Sequence, residues 1–197
     1  ERGLSEILWN ALDADADRVT VSLEPNGLGG IARLSVADDG EGVSLERAEV
    51  YFGKLAPEET TKNFVAAVKY LKSHPNSNGK VGCTGFCWGG AMTNQVAVNC
   101  ENLDAAVPYY GSVPKTEDVP KIKAPILAHY AENDDRINAG IPAFEEALKA
   151  NNKEYQIYKY PGTQHAFNND SNPERYNEEQ AKIAWKRTVD FFKEKLK

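Results

Sequence analysis

One cysteine in this chain stands where its reactivity can be used. Cys87 is the apex of Gly85-Phe86-Cys87-Trp88-Gly89-Gly90. An apolar run, Lys80-Val81-Gly82-Cys83-Thr84, leads in, and a helix-like segment, Ala91 to Val98, leads out. Strand, sharp turn and helix with a nucleophile at the apex make a nucleophile elbow with Cys in the Ser position. The apex side chain projects from the strand end on a strained backbone. Residues two before and two after must approach closely, so Gly85 and Gly89 are both expected to be needed bare. A sulfur at a helix N-terminus is expected to favour the thiolate, through the helix dipole and the free N–H groups.

Two more groups follow in an order that makes chemical sense. Asp134 sits in the acidic turn Glu132-Asn133-Asp134-Asp135, and His165 in Gly162-Thr163-Gln164-His165-Ala166-Phe167. Nucleophile, acid, histidine is the chain order of the α/β-hydrolases. An imidazole titrates near neutral pH, so His165 could take the thiol proton and return it to a leaving group. Asp134 would hold and orient that imidazole. Asp135 is its rival; Asp134 is preferred because Asp-x-x-Ile lets Ile137 pack under the turn. The amide N–H of Trp88 would be one oxyanion donor. Cys83 and Cys100 read as inert packing, and His74 and His129 as a loop and a strand residue. Cys83 and Cys87 are four apart with no second pair after them, so no zinc site is expected.

These groups need strand ends to carry them. Arg18–Leu23 and Ile31–Val36 alternate at period two and read as a hairpin around Pro25-Asn26-Gly27 and Gly29-Gly30. An amphipathic helix is expected over 1–13, and a short one from the cap Ser44 to Phe52. Glu58 to Ser73 reads as a helix burying Phe64, Val65, Val68, Tyr70 and Leu71. Strands are expected at 103–110, 124–130 and 155–160, a helix at 140–151, and a loop over 162–167. A closing helix at 177–195 carries Ile183, Ala184, Val189, Phe191 and Phe192. Alternating strands and helices predict an α/β fold: a three-layer αβα sandwich with a mostly parallel sheet. Function then gathers at the carboxyl ends of the strands.

The composition bounds the alternatives. The 197 residues are 41% hydrophobic and 26% charged, which fits a globular protein. A net charge of −6 gives no electrostatic footprint for nucleic acid. No apolar run approaches the roughly 20 residues that span a bilayer, and the chain opens on Glu1-Arg2, without a signal-peptide pattern. Three cysteines suit a reducing compartment, so the expectation is cytoplasmic, without nucleic-acid or membrane partners.

Two resemblances attach to these motifs. Glu6-Ile7-Leu8-Trp9-Asn10-Ala11-Leu12-Asp13-Ala14 and Asp38-Asp39-Gly40-Glu41-Gly42 resemble the first boxes of the GHKL ATPase superfamily. That resemblance implies Glu6 as water-orienting base, Asn10 as magnesium ligand and Asp38 as adenine reader. It covers residues 1–55, and no glycine-rich lid follows. Residues 56–197 resemble the dienelactone hydrolase family through the elbow, the Ala131-Glu132-Asn133-Asp134 turn and the His165 loop. The implication is a Cys87-His165-Asp134 triad acting on small esters or lactones, without metal or organic cofactor. The family has an arginine four residues past the histidine to grip a carboxylate; Asn169 stands there instead. Its N-terminal strands, a thiol-controlling glutamate and a second oxyanion donor fall where the ATPase-like segment lies. The chain thus reads as an α/β-hydrolase-like fold whose N-terminal part is replaced by a helix and hairpin. The join lies near Gly53-Lys54-Leu55, as in a chimera, with weak turnover expected.

Overall fold

The computed structural model describes residues 19–25, 31–38 and 57–197. The chain divides into two compact units, 1–56 and 57–197. In the first, β1 (Val19–Pro25) and β2 (Ile31–Asp38) form the expected antiparallel hairpin, a two-stranded sheet of its own. Its register runs from Val19 opposite Asp38 to Pro25 opposite Ile31, with an irregularity at Glu24/Pro25. The helices expected over 1–13 and 44–52, the turn at 26–30 and the join at 53–55 lie outside the described residues.

The second unit holds a four-stranded parallel sheet in the order β3 (Gly82–Phe86), β4 (Ala105–Tyr109), β5 (Ile126–Asn133), β6 (Tyr155–Gln164). Helices fill the connections: α1 (Pro57–Ser73) before β3, α2 (Trp88–Asn99) after it, then α3 (Asp135–Asn138) and α4 (Ile141–Ala150) between β5 and β6. The closing helix is α5 (Glu178–Lys195).

Period-two alternation divides the core into two layers. Ala106, Ile126, Ala128 and Tyr130 point to one face, against Val68 of α1, Val96 and Ala97 of α2 and Phe144 and Leu148 of α4. Ala105, Val107, Tyr109, Leu127 and Ala131 point to the other, against Ala181, Ala184 and Phe191 of α5. The sheet is therefore covered on both sides, and β4 is buried at every position. Complete burial of Phe144 and Leu148 stabilises the fold by about 1.5–3 kcal/mol for each side chain. Pro108 interrupts β4: the β4–β5 register holds at Ala106 opposite Ile126 and Tyr109 opposite His129, and the gap falls where proline lacks its N–H.

Local chemistry sets the helix ends. The Asn177 side chain accepts from Gln180 N–H at 3.1 Å, and Glu178 and Glu179 occupy the positive end of α5, with Lys193 and Lys195 at the other. A proline in the first turn starts α4.

Two expected faces are corrected. On α1 the packed stripe is Thr61, Val65, Val68 and Lys72, spaced i, i+4, i+7 and i+11, while Phe64, Tyr70 and Leu71 are exposed. Lys72 closes that stripe by pairing with Asp104. On α5, Ile183 is exposed, because the buried row is Ala181, Ala184, Thr188 and Phe191.

Candidate active site

In a parallel sheet all strands end on one side, so the residues following β3, β4, β5 and β6 meet there. These are Cys87, Tyr110, Asp134 and His165.

Cys87 makes the turn from β3 into α2 with φ 54° and ψ −115°, in a region that L-residues seldom adopt. Its N–H donates to Tyr109 O at 3.1 Å, and its carbonyl accepts from Ala91 N–H at 3.1 Å. That second bond begins the helix and leaves the Trp88, Gly89 and Gly90 N–H groups without an intrahelical acceptor. Trp88 is 54% exposed. Crowding at the elbow differs from expectation. A Cβ on Gly85 would lie 2.3 Å from Gly89 O, so Gly85 must be bare. A Cβ on Gly89 meets nothing within 4 Å. The other tight contact is Gly90 on β4: a Cβ there would lie 2.3 Å from Tyr109 O, and one on Gly111 would lie 2.2 Å from Ala91 N.

Asp134 and His165 are positioned by a brace between β5 and β6. Gly162 N–H donates to Glu132 Oε2 at 2.7 Å, with Gly162 at φ 66°, and Glu132 N–H donates to Thr163 Oγ1 at 3.3 Å. These bonds carry β6 through Gln164, paired with Asn133, so the strand runs three residues into the expected loop. Asn138 Nδ2 donates to Ala131 O and Glu132 O, and Ile137 is buried under the turn. The Asp134 carbonyl accepts from Asn138 N–H at 2.8 Å and opens α3, while its side chain makes no cap bond.

That side chain turns to the histidine instead. His165 Nδ1 lies 2.5 Å from Asp134 Oδ2, and Nε2 lies 3.1 Å from Cys87 Sγ. A carboxylate only accepts, so Nδ1 carries the proton and Nε2 offers a lone pair to the thiol. The Asp134 side chain is 8% exposed and that of His165 24%. Asp135, the rival acid, is exposed.

The expected ease of ionising the sulfur is also corrected in direction. Burial pushes the Cys87 thiol up from its ordinary value, and the Asp134 charge pushes the same way; Arg175 and Arg136 pull it down by less. Desolvation thus works against the ionised sulfur that the helix terminus favours. The two arginines carry no local motif, and only the fold brings them near.

Cys83 is half-buried and Cys100 buried, both free. Among the described residues no group of three or more His, Cys, Asp or Glu is placed to hold a metal ion, and no helix is long and apolar enough to cross a membrane. Asp38 ends β2 opposite Val19, whereas Glu6 and Asn10 lie outside the described residues.

Comparison with known proteins bears on the family and the fold. The chain is 34% identical over 162 residues to a Saccharolobus solfataricus protein named "Putative carboxymethylenebutenolidase", covering 82% of this chain and 62% of that one. A Yersinia pestis protein of the same name is 36% identical over 134 residues, covering 62% of this chain and 50% of that one. The chain therefore spans half to about three-fifths of these relatives' length. The crystal structure of a protein titled "Putative Dienelactone Hydrolase", from Klebsiella pneumoniae, superposes with a TM-score of 0.67 at 27% identity, over 81% of this chain and 74% of that one. The sequence matches the dienelactone hydrolase family over residues 37–196, beginning inside the stretch that resembles ATPases and taking in Asp38. With the parallel sheet and its flanking helices, this gives the α/β-hydrolase fold, and the chain belongs to the dienelactone hydrolase family.

Proposed function

We propose that the protein hydrolyses small carboxylic esters or lactones through Cys87, His165 and Asp134. One observation carries the reading: the unbroken hydrogen-bonded line from Asp134 Oδ2 through both imidazole nitrogens to Cys87 Sγ, at 2.5 and 3.1 Å.

The chemistry runs in two balanced halves. His165 Nε2 takes the Cys87 proton as Sγ bonds to the substrate carbonyl carbon, and the carbonyl π pair moves to oxygen. The N–H groups at the start of α2, Trp88 first, would supply donors to that oxyanion. Collapse breaks the carbon–oxygen bond, and the departing alkoxide takes the proton from Nε2. A thioester remains. Water then attacks it, gives a proton to Nε2, and the carbon–sulfur bond breaks; the sulfur recovers the proton and the carboxylic acid leaves. Asp134 keeps the imidazole in its Nδ1–H tautomer and stabilises the imidazolium formed in each half.

Mass spectrometry after incubation with p-nitrophenyl acetate tests this. An acetyl adduct on Cys87, absent from Cys87→Ala, is expected. No adduct on the wild-type protein at neutral pH overturns the reading.

A further inference from the structure

Asp134 holds His165 at one point. A single hydrogen bond to Nδ1 fixes where the ring begins, but leaves it free to swing about that contact and carry Nε2 away from the sulfur. Something must restrain the plane of the ring.

We propose that Tyr110, the residue following β4, is the positioning residue that does this. The proposal rests on the reading that His165 is the base. The Tyr110 ring lies 5.1 Å from the His165 ring at 58°, and 5.5 Å from that of Phe167, edge to face. Tyr110 is 2% exposed. Its hydroxyl also feels the backbone of Asn168, so the side chain meets the histidine loop along its ring and at its tip. Its backbone ties it to β5, and its neighbour meets the elbow. Tyr110 N–H donates to His129 O at 2.7 Å, and Gly111, next in the chain, packs against Gly90 and Ala91 at the start of the nucleophile's helix. The end of β4 thus meets both halves of the site: the Tyr110 ring lies against the histidine and 6.1 Å from the Phe86 ring, while Tyr109 and Gly111 hold the turn that carries the thiol.

The backbone conformation points the same way. Among the described residues four non-glycine residues have positive φ: Cys87, Tyr110, Asn152 and Ala166. Three of them surround the site, Tyr110 at 35° and Ala166 at 68°. Such conformations persist only where surrounding contacts hold them, and they cluster where geometry matters to function. A tyrosine at φ 35° gains nothing locally. What it obtains is a ring tilted against the imidazole between Phe167 and the elbow.

Four full-length variants test this: Tyr110→Leu, Tyr110→Phe, Tyr110→Met and His165→Ala. The readouts are kcat and KM with p-nitrophenyl acetate, the rate of Cys87 alkylation by iodoacetamide, and thermal unfolding. Misplacing a reacting group by about 1 Å can cost roughly 10²-fold, so Tyr110→Leu should lower kcat by about 30- to 100-fold while KM moves less than about threefold. Alkylation should slow in parallel, because it reads the same imidazole–thiol contact without a bound ester. Tyr110→Phe keeps the ring and should recover most of kcat. If Tyr110→Leu shows no cooperative unfolding, Tyr110→Met, of similar size but without a rigid face, takes its place with the same expectation. A leucine or methionine variant with wild-type kcat and alkylation rate overturns the proposal. So does a rise in KM at constant kcat, which would make the ring a substrate wall. His165→Ala separates this failure from that of the parent reading. Loss of acylation there, beside an unaffected Tyr110→Leu, sinks the tyrosine alone. Absence of any acyl adduct on the wild-type protein sinks both.

Discussion

His165 Nε2 lies 3.1 Å from Cys87 Sγ across 78 residues of sequence. Two turns at one end of the sheet create that contact, and Asp134 completes it from a third. Because the Asp134 backbone, not its side chain, opens α3, Asp134→Asn removes charge with little loss of structure. A neutral amide neither favours the Nδ1–H tautomer nor stabilises imidazolium. Asp134→Asn should therefore lower kcat by roughly 10²–10⁴-fold at an unchanged unfolding midpoint. Steady-state kinetics beside thermal denaturation check it; a kcat within tenfold of wild type would remove Asp134 from the mechanism.

The thiol has its own charge balance. Burial raises its pKa first and Asp134 second, and Arg175 and Arg136 lower it. Arg175→Ala and Arg136→Ala should each move the alkylation profile of Cys87 to higher pH, and Asp134→Asn should move it to lower pH. Iodoacetamide rates between pH 6 and 10 read these shifts. Identical profiles for both arginine variants would mean that solvent screens these charges completely.

Glycine geometry gives a third expectation. Gly85→Ala and Gly90→Ala both drive a Cβ into backbone atoms that cannot yield, at 2.3 Å in each case. Each should cost about 1–3 kcal/mol of stability or more and displace the elbow. Gly89→Ala meets open space and adds a better helix former, so it should hold or raise stability. Denaturant unfolding of the three variants tests the ranking, and a Gly89→Ala that unfolds first would contradict it.

This ranking shows where sequence reasoning reached and where it stopped. The elbow was legible because Gly85 and Cys87 are fixed by short-range sterics, which a motif records. The acid and the histidine could be named as candidates because each follows a segment that reads as a strand. Gly90 and Gly111 were not, since the pressure on each comes from the other's chain segment. The same limit explains α1. Its apolar residues cover more than half the helix surface, and only the seat of α2 selects Val65 and Val68 over Phe64 and Leu71. Thiol chemistry was misjudged for a related reason: the helix terminus can be read locally, whereas burial and the approach of Asp134 belong to the folded chain.

A second histidine, fully buried, sets the acid limit of the fold. His129 is wholly buried in β5. Its Nδ1 lies 2.7 Å from Tyr160 Oη and its Nε2 3.0 Å from Thr188 Oγ1. Arg187 donates to Tyr160 Oη, and Thr188 gives its proton to Ala184 O, so Tyr160 must donate to Nδ1 and Nε2–H to Thr188. Tyr109 Oη also donates to Thr188, and Tyr158 stacks beside the ring. Every site is filled for a neutral imidazole, and a second proton finds no acceptor. Burial, then the Arg187 charge, lowers His129 from 6.5 to about 3. The unfolded chain therefore binds a proton that the folded chain refuses between these values. The stability is whole above about pH 6.5 and drains as pH falls towards 3, by roughly 3–5 kcal/mol. His129→Phe should be less stable at pH 7, because Tyr160 and Thr188 lose their partner, yet flatter in its pH dependence. Urea unfolding at pH 7.5, 6 and 4.5 measures both. An unchanged acid slope in His129→Phe would assign the acid sensitivity to the carboxylates instead.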